Sequence, residues 1–366
     1  MNYSQGEYTH ENVLKLLLSS ERKIQYEYSV QDSSGKHLGW LSNCEGKITY
    51  DSTRSVMRML SGTAMKCEIL DINLIDEKIV PWFCLKTGDD VLKFPLGKFI
   101  ISPSFYANGP EKVVEILGYD LSKIALDDKM INRMVKQPGG FYTNELQELL
   151  SELYPLCEVE TSTRLRNNAY EWEPGTSRLQ IANDILMAIN YYPLHFDEYG
   201  IPIGKKYVFP ESQPIDMYYK TGKESIILPY SNLTSNRFEI PNKFIRYLEN
   251  PDCEYLTSSY INDDPNSKYS ITSRDRTIVD IEAVSDMASQ EELDDYVKRC
   301  AVAAMSVTDQ IVFRTMNMPG HGFKNCLYVE IDELGIREKV IETGWEMNLS
   351  VGGEMIHKCT RVVNVL

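Results

Sequence analysis

The sequence has no long apolar run. The longest obvious candidate, Val13 to Leu18, is interrupted by Lys15 and followed by Ser19-Ser20-Glu21-Arg22-Lys23. A helix that crosses a bilayer needs roughly 20 apolar residues, so no membrane span is expected. Met1 to Glu7 carries neither a basic flank nor an apolar core. No signal peptide is expected, and folding in a cytosol is. Closely spaced cysteines are missing too. The eight, Cys44, Cys67, Cys84, Cys157, Cys253, Cys300, Cys326 and Cys359, are scattered with no C-x-x-C pair. Zinc sites usually show such short spacings, so free thiols in a reducing compartment are the expectation. A basic excess is also missing. Lys and Arg number 38 against 53 Asp and Glu, a formal net charge of −15. That counts against a nucleic-acid reader, which clusters its cations. It is compatible with a surface past which DNA slides, because an acidic wall repels phosphates.

Catalytic grammar is scarce. There is no Gly-x-Ser-x-Gly elbow and no phosphate-binding glycine loop. The five histidines, His10, His37, His195, His321 and His357, form neither H-x-H nor H-E-x-x-H. His321 stands between two glycines, which reads as a turn. Glu171-Trp172-Glu173 is the tempting pair, since glycosidases need two carboxylates. Residues two apart share a face of an extended segment. The plainer reading is a solvated pair around a packing tryptophan before a Pro-Gly turn. Asp127-Asp128 and Asp263-Asp264 read as surface loops. Asn232-Leu233-Thr234 and Asn348-Leu349-Ser350 match the glycosylation pattern by chance in a chain without a secretion signal. No catalytic, cofactor-binding or metal residue is nominated, and no cofactor is expected.

Strand signals are abundant. Ile24, Tyr26, Tyr28 and Val30 alternate with polar residues, and Asp32-Ser33-Ser34-Gly35-Lys36 follows as a turn. Ile48 and Tyr50 open a further alternation. Ile69 to Ile75, Pro81 to Leu85, Val91 to Phe94, Phe99 to Ile101 and Val113 to Leu117 read as short strands between turn residues. Such spacing argues for an antiparallel barrel or sandwich. The texture then changes. Leu146, Leu149, Leu150 and Leu153 mark a helical face that Pro155 ends. Ser177 to Gln180 has capping-box spacing, followed by the stripe Leu179, Ala182, Ile185, Leu186 and Ile189. Ser289 to Glu292 is a second capping box, ahead of Leu293, Tyr296, Val297, Cys300, Ala301 and Ala304. Leu327, Val329 and Ile331, then Trp345, Met347, Leu349 and Val351, return to strand alternation before Gly352-Gly353. The expected fold is mainly β with an α+β insert. Two similar antiparallel β-barrel blocks, 1–125 and 214–366, flank a small α/β domain, 126–213. An exposed excursion is expected around 249–304.

Several segments resemble a known family. They are Ser42-Asn43-Cys44-Glu45-Gly46-Lys47-Ile48-Thr49-Tyr50-Asp51-Ser52-Thr53-Arg54-Ser55-Val56 and on to Arg58, Phe94-Pro95-Leu96-Gly97-Lys98-Phe99-Ile100-Ile101-Ser102, Gly118-Tyr119-Asp120, and Glu171-Trp172-Glu173-Pro174-Gly175-Thr176-Ser177. Ala188 to Tyr191, Phe196 to Gly200, and Pro319-Gly320 through the Gly352-Gly353 strand add to them. In this order they resemble the baseplate hub of contractile-tailed phages and the hub module of siphophage tail-associated lysins, the prophage endopeptidase tail family. The resemblance implies two similar β-barrels per chain and a homotrimer. The trimer presents a pseudo-sixfold ring that closes the tail tube at the tail tip or baseplate. The implied partners are the distal tail or tail-tube protein ring, the tape-measure protein, and a central spike or fibre. DNA passes through the lumen without specific binding. Assembly in a host bacterial cytoplasm is expected. The sequence runs to Leu366 with no peptidase, lysozyme or fibre extension, so a structural, non-enzymatic short form is expected. The rivals are a tail-tip wall hydrolase and a receptor- or carbohydrate-binding tail protein.

Overall fold

A computed structural model gives the fold and describes residues 1–19, 21–41, 44–65, 77–108, 111–222, 225–235, 238–249, 255–306 and 309–362. The strand expected at Ile69–Ile75, Ser42, Asn43, Cys67, Cys253, the Gly109-Pro110 turn and the Asn250-Pro251-Asp252 turn lie outside them.

The first block holds helix α1 (His10–Leu17) and strands β1 (Lys23–Gln31), β2 (His37–Leu41), β3 (Cys44–Asp51), β4 (Arg58–Met65), β5 (Lys78–Thr87), β6 (Asp90–Pro95), β7 (Phe99–Asn108) and β8 (Glu111–Asp120). The middle carries α2 (Ser122–Asp127), β9 (Met134–Lys136), α3 (Tyr142–Ser151), β10 (Glu158–Val159), β11 (Tyr170–Trp172), α4 (Arg178–Ala188), β12 (His195–Phe196) and β13 (Pro202–Gly204). The last part holds β14 (Met217–Lys220), β15 (Ile227–Ser235), β16 (Lys243–Leu248), β17 (Thr257–Ile261), α5 (Ile271–Arg274), β18 (Val279–Val284), α6 (Gln290–Ser306), β19 (Asp309–Met316), β20 (Cys326–Ile331), β21 (Ile336–Asn348) and β22 (Glu354–Arg361).

The chain is mainly β, and its largest sheet is antiparallel almost throughout. Fourteen strands join along the path β15-β19-β22-β21-β3-β4-β8-β7-β5-β1-β2, with β14, β20 and β6 attached beside it. Among the described residues this path is open and closes no barrel. Its crossing point is the β21–β3 pair, where the last block is hydrogen-bonded to the first. Met347 faces Ile48 and Trp345 faces Tyr50 in that register. The two rings stack with centroids 5.6 Å apart and planes within 9°. Beyond the strand ends, Ser52 N–H donates to the Thr343 carbonyl and Leu349 N–H to the Gly46 carbonyl.

One core lies under both blocks. Tyr28, Val30, Ile48, Phe83 and Phe99 share it with Tyr219, Phe313, Val329, Trp345 and Met355. Apolar positions at a period of two put these side chains on the inner faces. A second core belongs to the middle, where α3 and α4 contribute Leu146, Leu149, Leu150, Ile181, Ile185 and Leu186. Helix α4 starts as its sequence indicates, with the Ser177 hydroxyl accepting from Gln180 N–H at 3.1 Å. The reciprocal half of that box does not form, because the Gln180 amide donates to Asp184 instead. At α6, the Ser289 hydroxyl accepts from Glu292 N–H, while the Glu292 carboxylate accepts from Arg164 128 residues upstream in the chain.

The stretch read as an exposed excursion is folded in its described part. Strands β17, β16 and β18 form a three-stranded sheet. Phe244 of that sheet packs with Val297, Ala301 and Met305 of α6. On the other side of the sheet Ile261, Val279 and Ile281 face outward, and polar residues alternate with them along the strands.

Candidate functional site

Most of the segments singled out in the sequence come together around one buried side chain. Arg58, 2% exposed, opens β4. Its backbone N–H donates to the Asp120 carboxylate at 2.8 Å. Its guanidinium reaches the Asp197 carbonyl at 3.2 Å and the His321 carbonyl at 3.5 Å. It also lies 5.5 Å from the Tyr50 ring and 5.9 Å from the Trp345 ring. One residue thereby touches the first block, the middle and the last block.

Each neighbouring motif has a local reason. Gly97 has φ +140°, and a Cβ there would stand 2.7 Å from Arg58 Cδ. Only glycine lets the 94–102 segment pass this close. Asp120 accepts from Ser122 N–H and Ser122 O–H. Burial raises its carboxyl pKa above the ordinary value, against the pull of Ser122 and Arg58. Asp197 folds the Phe196–Gly200 turn by accepting from Tyr199 N–H at 2.9 Å and Ile201 N–H at 2.8 Å. Gly200 (φ +81°) closes that turn, with a Cβ position 2.7 Å from Leu121.

Below the joint lies a fully enclosed polar cluster that no sequence motif announces. Both Glu342 oxygens accept from imidazoles, one from His321 Nδ1 at 2.7 Å and one from His357 Nδ1 at 2.6 Å. His321 Nε2 meets the Tyr219 hydroxyl and His357 Nε2 the Thr315 hydroxyl, each at 2.8 Å. Burial opposes ionisation of Glu342, yet the two imidazoles outweigh it and hold the carboxyl below its usual range. Burial, joined by the His321 charge, pushes His357 down despite Glu342. Burial holds the Tyr219 hydroxyl well above the phenol range, so it remains a donor. The three ligand-type atoms lie within 4.8 Å of one another, the donor set of a zinc site. Hydrogen bonds already engage all four ring nitrogens and both carboxylate oxygens. The cluster therefore reads as a polar core that fixes the last block's strands. His321 does follow a turn, with Gly320 at φ +82°, but its ring faces inward.

A second buried node ties the middle to the segment before α6. Arg166 pairs with Glu145 at 2.9 Å and with Asp286 at 2.6 Å, and Tyr142 O–H donates to Asp286. All four residues are at least nine-tenths buried, so the charges act at low dielectric.

The remaining sequence candidates sit apart from the joint. Glu171 and Glu173 share a face as expected, both exposed and both paired to Arg133, at 3.3 and 2.8 Å. Trp172 between them is buried and donates Nε1–H to Asp184. Asp127 pairs with Lys123 and Asp128 with Arg178. Asp264 caps its own turn through Asn266 N–H. His10 Nδ1 accepts from Tyr3 N–H, and His37 is exposed against Trp40.

No protein-family model matches the sequence, and no curated protein does. Solved structures match it over more than nine-tenths of its own length. A tail protein from Neisseria meningitidis MC58 superposes with a TM-score of 0.67 at 14% identity, over 92% of this chain and 97% of that one. This is the fold of phage tail proteins. The 43 kDa tail protein of prophage MuSo2 from Shewanella oneidensis gives 0.62 at 10% identity, over 91% and 98%. A chain of a Francisella PdpA–VgrG complex gives 0.56 at 10% identity, over 97% of this chain and 61% of that one. The tail-protein fold accounts for the hub-like motifs. They are turns and close approaches that hold its blocks together.

Proposed function

We propose that the chain is the structural hub of a phage tail tip or baseplate. Three copies form a pseudo-sixfold ring that closes the tail tube and seats a central spike or fibre. In this reading 1–125 and 214–366 supply the two hub blocks of each subunit and 126–213 the insert. The observation that carries it is the joint. A trimer imitates sixfold symmetry only if each subunit holds its two β-blocks at a fixed angle. Here β21–β3 pairing, a shared core and Arg58 hold them so. The fold shared with two phage tail proteins along almost their whole length supports the same reading. So does the likeness to a chain from a complex containing VgrG.

The partners in this reading are the tail-tube or distal tail ring, the tape-measure protein, and the spike or fibre, with DNA passing through the lumen. A head-to-tail interface that closes after three copies gives such a ring. The deciding measurement is copy number in assembled tails by quantitative mass spectrometry. Three copies per tail are expected, and one or six would refute the hub.

A further inference from the structure

Beside the joint lies a cavity of about 210 Å³. It opens where every part of the chain meets. Ser52 comes from the turn after β3, Tyr192 and Tyr207 from the middle, Arg299 and Ser306 from α6, and Lys324 from the loop before β20. No Asp or Glu lies in its lining, in a chain with 53 of them.

Among the described residues neither of its two cations pairs with a carboxylate. Lys324 is held at φ +48°, with Nζ 5.8 Å from the Tyr192 ring and 5.6 Å from the Phe323 ring. Among the described residues no carboxylate pairs with it. Burial, and after it the Arg299 charge, pushes its ammonium down to about 8. Arg299 donates from Nη1 to Asn190 Oδ1 at 3.2 Å and to the Tyr191 carbonyl at 2.7 Å. The Tyr207 ring supports its guanidinium at 4.6 Å. Among the described residues no hydrogen bond occupies its Nε or Nη2, the edge that grips a carboxylate through two parallel bonds.

The lining also holds two orphaned hydroxyls. Ser52 and Ser306 are 9% and 8% exposed, and among the described residues neither side-chain oxygen has a hydrogen-bond partner. Buried polar atoms in native proteins are nearly always satisfied. Two unpaired cations and two unpaired hydroxyls in one small cavity describe a site short of an anion.

We propose that this cavity binds a carboxylate. Arg299 supplies the bidentate edge, Lys324 the second positive charge, and Ser52 and Ser306 further donors, while the tyrosine rings enclose the carbon chain. The volume equals that of about seven water molecules at roughly 30 Å³ each. That suits a carboxylate with a few carbons and is too small for a nucleotide. The carboxylate comes either from an Asp or Glu side chain of a neighbouring chain or from a free small acid. Its binding staples α6 to both β-blocks. The inference stands apart from the hub reading, because the cavity can fail to bind while tails still contain three copies.

The test uses the purified full chain, titrated with glutarate, N-acetylglutamate amide and uncharged glutaramide. Calorimetric heat and Tm are the readouts. The carboxylates are expected to bind and to raise Tm, and glutaramide to do neither. Lys324→Met is expected to weaken binding at least about tenfold, equivalent to about 1.4 kcal/mol. The same change should raise Tm of the unliganded chain, because a half-buried charge with no carboxylate partner among the described residues is gone. Ser306→Ala should weaken binding without lowering unliganded stability, and its affinity decides the question if Lys324→Met does not fold. Binding of N-acetylglutamate amide assigns the source to a protein side chain, and binding of glutarate alone assigns it to a free acid. Both support the site. Equal responses to glutarate and glutaramide overturn it, as does unchanged glutarate binding in the folded variants.

Discussion

His195 stacks on Phe323 with ring centroids 4.1 Å apart, and its Nδ1–H donates to the Pro193 carbonyl at 2.9 Å. Burial pushes its pKa from 6.5 down to about 4, against that hydrogen bond. The folded chain thus resists a proton that the unfolded chain accepts. The stabilisation is complete above pH 6.5 and is lost as pH falls toward 4. Between pH 7 and pH 5 this one ring is expected to remove about 2 kcal/mol. Urea melts at the two pH values should show that loss shrinking by that amount in His195→Phe. An unchanged pH response in the variant would contradict the assignment. Glu171 and Glu173 make the opposite case. Both are exposed and only clamp Arg133, and surface pairs contribute at most about 1 kcal/mol. Replacing both by Gln should leave tail assembly, infection and stability nearly as they were. Loss of wall degradation on a zymogram, with assembly intact, would instead favour the hydrolase. The sequence shows such a pair because its members are adjacent. The His321–Glu342–His357 cluster was illegible because its members are 21 and 15 residues apart. Only the β20–β21–β22 arrangement brings them to one point.

Elements were easier to read than their connections. Alternation locates β1, β3 and β20, and the serine caps locate the starts of α4 and α6. What alternation does not carry is the neighbour of each strand. Pairing of β3 with β21 joins residues about 300 positions apart, and turn chemistry fixes only adjacent strands. The polar 255–276 stretch misled for a related reason. A three-stranded sheet covered by one helix needs apolar residues on a single face, so the rest reads as loop. Glycines mark where strands must approach unusually closely. Gly62 faces Gly46 across β3–β4. A Cβ at Gly62 would stand 2.3 Å from the Glu45 carbonyl oxygen and 2.9 Å from Gly46 Cα. Those are backbone atoms, which cannot swing aside. Gly62→Ala is therefore expected to destabilise by about 1–3 kcal/mol, the usual penalty of overpacking. The urea midpoint should fall accordingly. A midpoint equal to wild type would show that the sheet relaxes here.

At the scale of the whole molecule, one sheet spans both β-blocks, and among the described residues its path ends at β15 and β2. Rigid coupling of the blocks matters only if copies meet around an axis, and there the charge of the chain becomes consequential. The formal charge of −15 is spread over a fold that engages many of its arginines in ion pairs. Arg133, Arg164, Arg166, Arg178, Arg246, Arg314, Arg337 and Arg361 all pair with carboxylates of the same chain. A cation so paired is less free to hold a phosphate. Each phosphate neutralised by a free Lys or Arg adds retention that salt must relieve. A conduit built for rapid passage is better lined by neutral or acidic side chains, which repel the DNA backbone. The bore of the proposed ring is therefore expected to be neutral or acidic, with any unpaired Lys and Arg turned toward protein partners or solvent. A structure of the assembled tail tip decides this by the placement of charged side chains around the ring axis. Binding of the purified ring to single- or double-stranded DNA should also be negligible at low salt. A continuous basic belt along the bore, or salt-dependent DNA binding that disappears when belt residues are neutralised, would mean that the ring grips DNA instead of letting it pass.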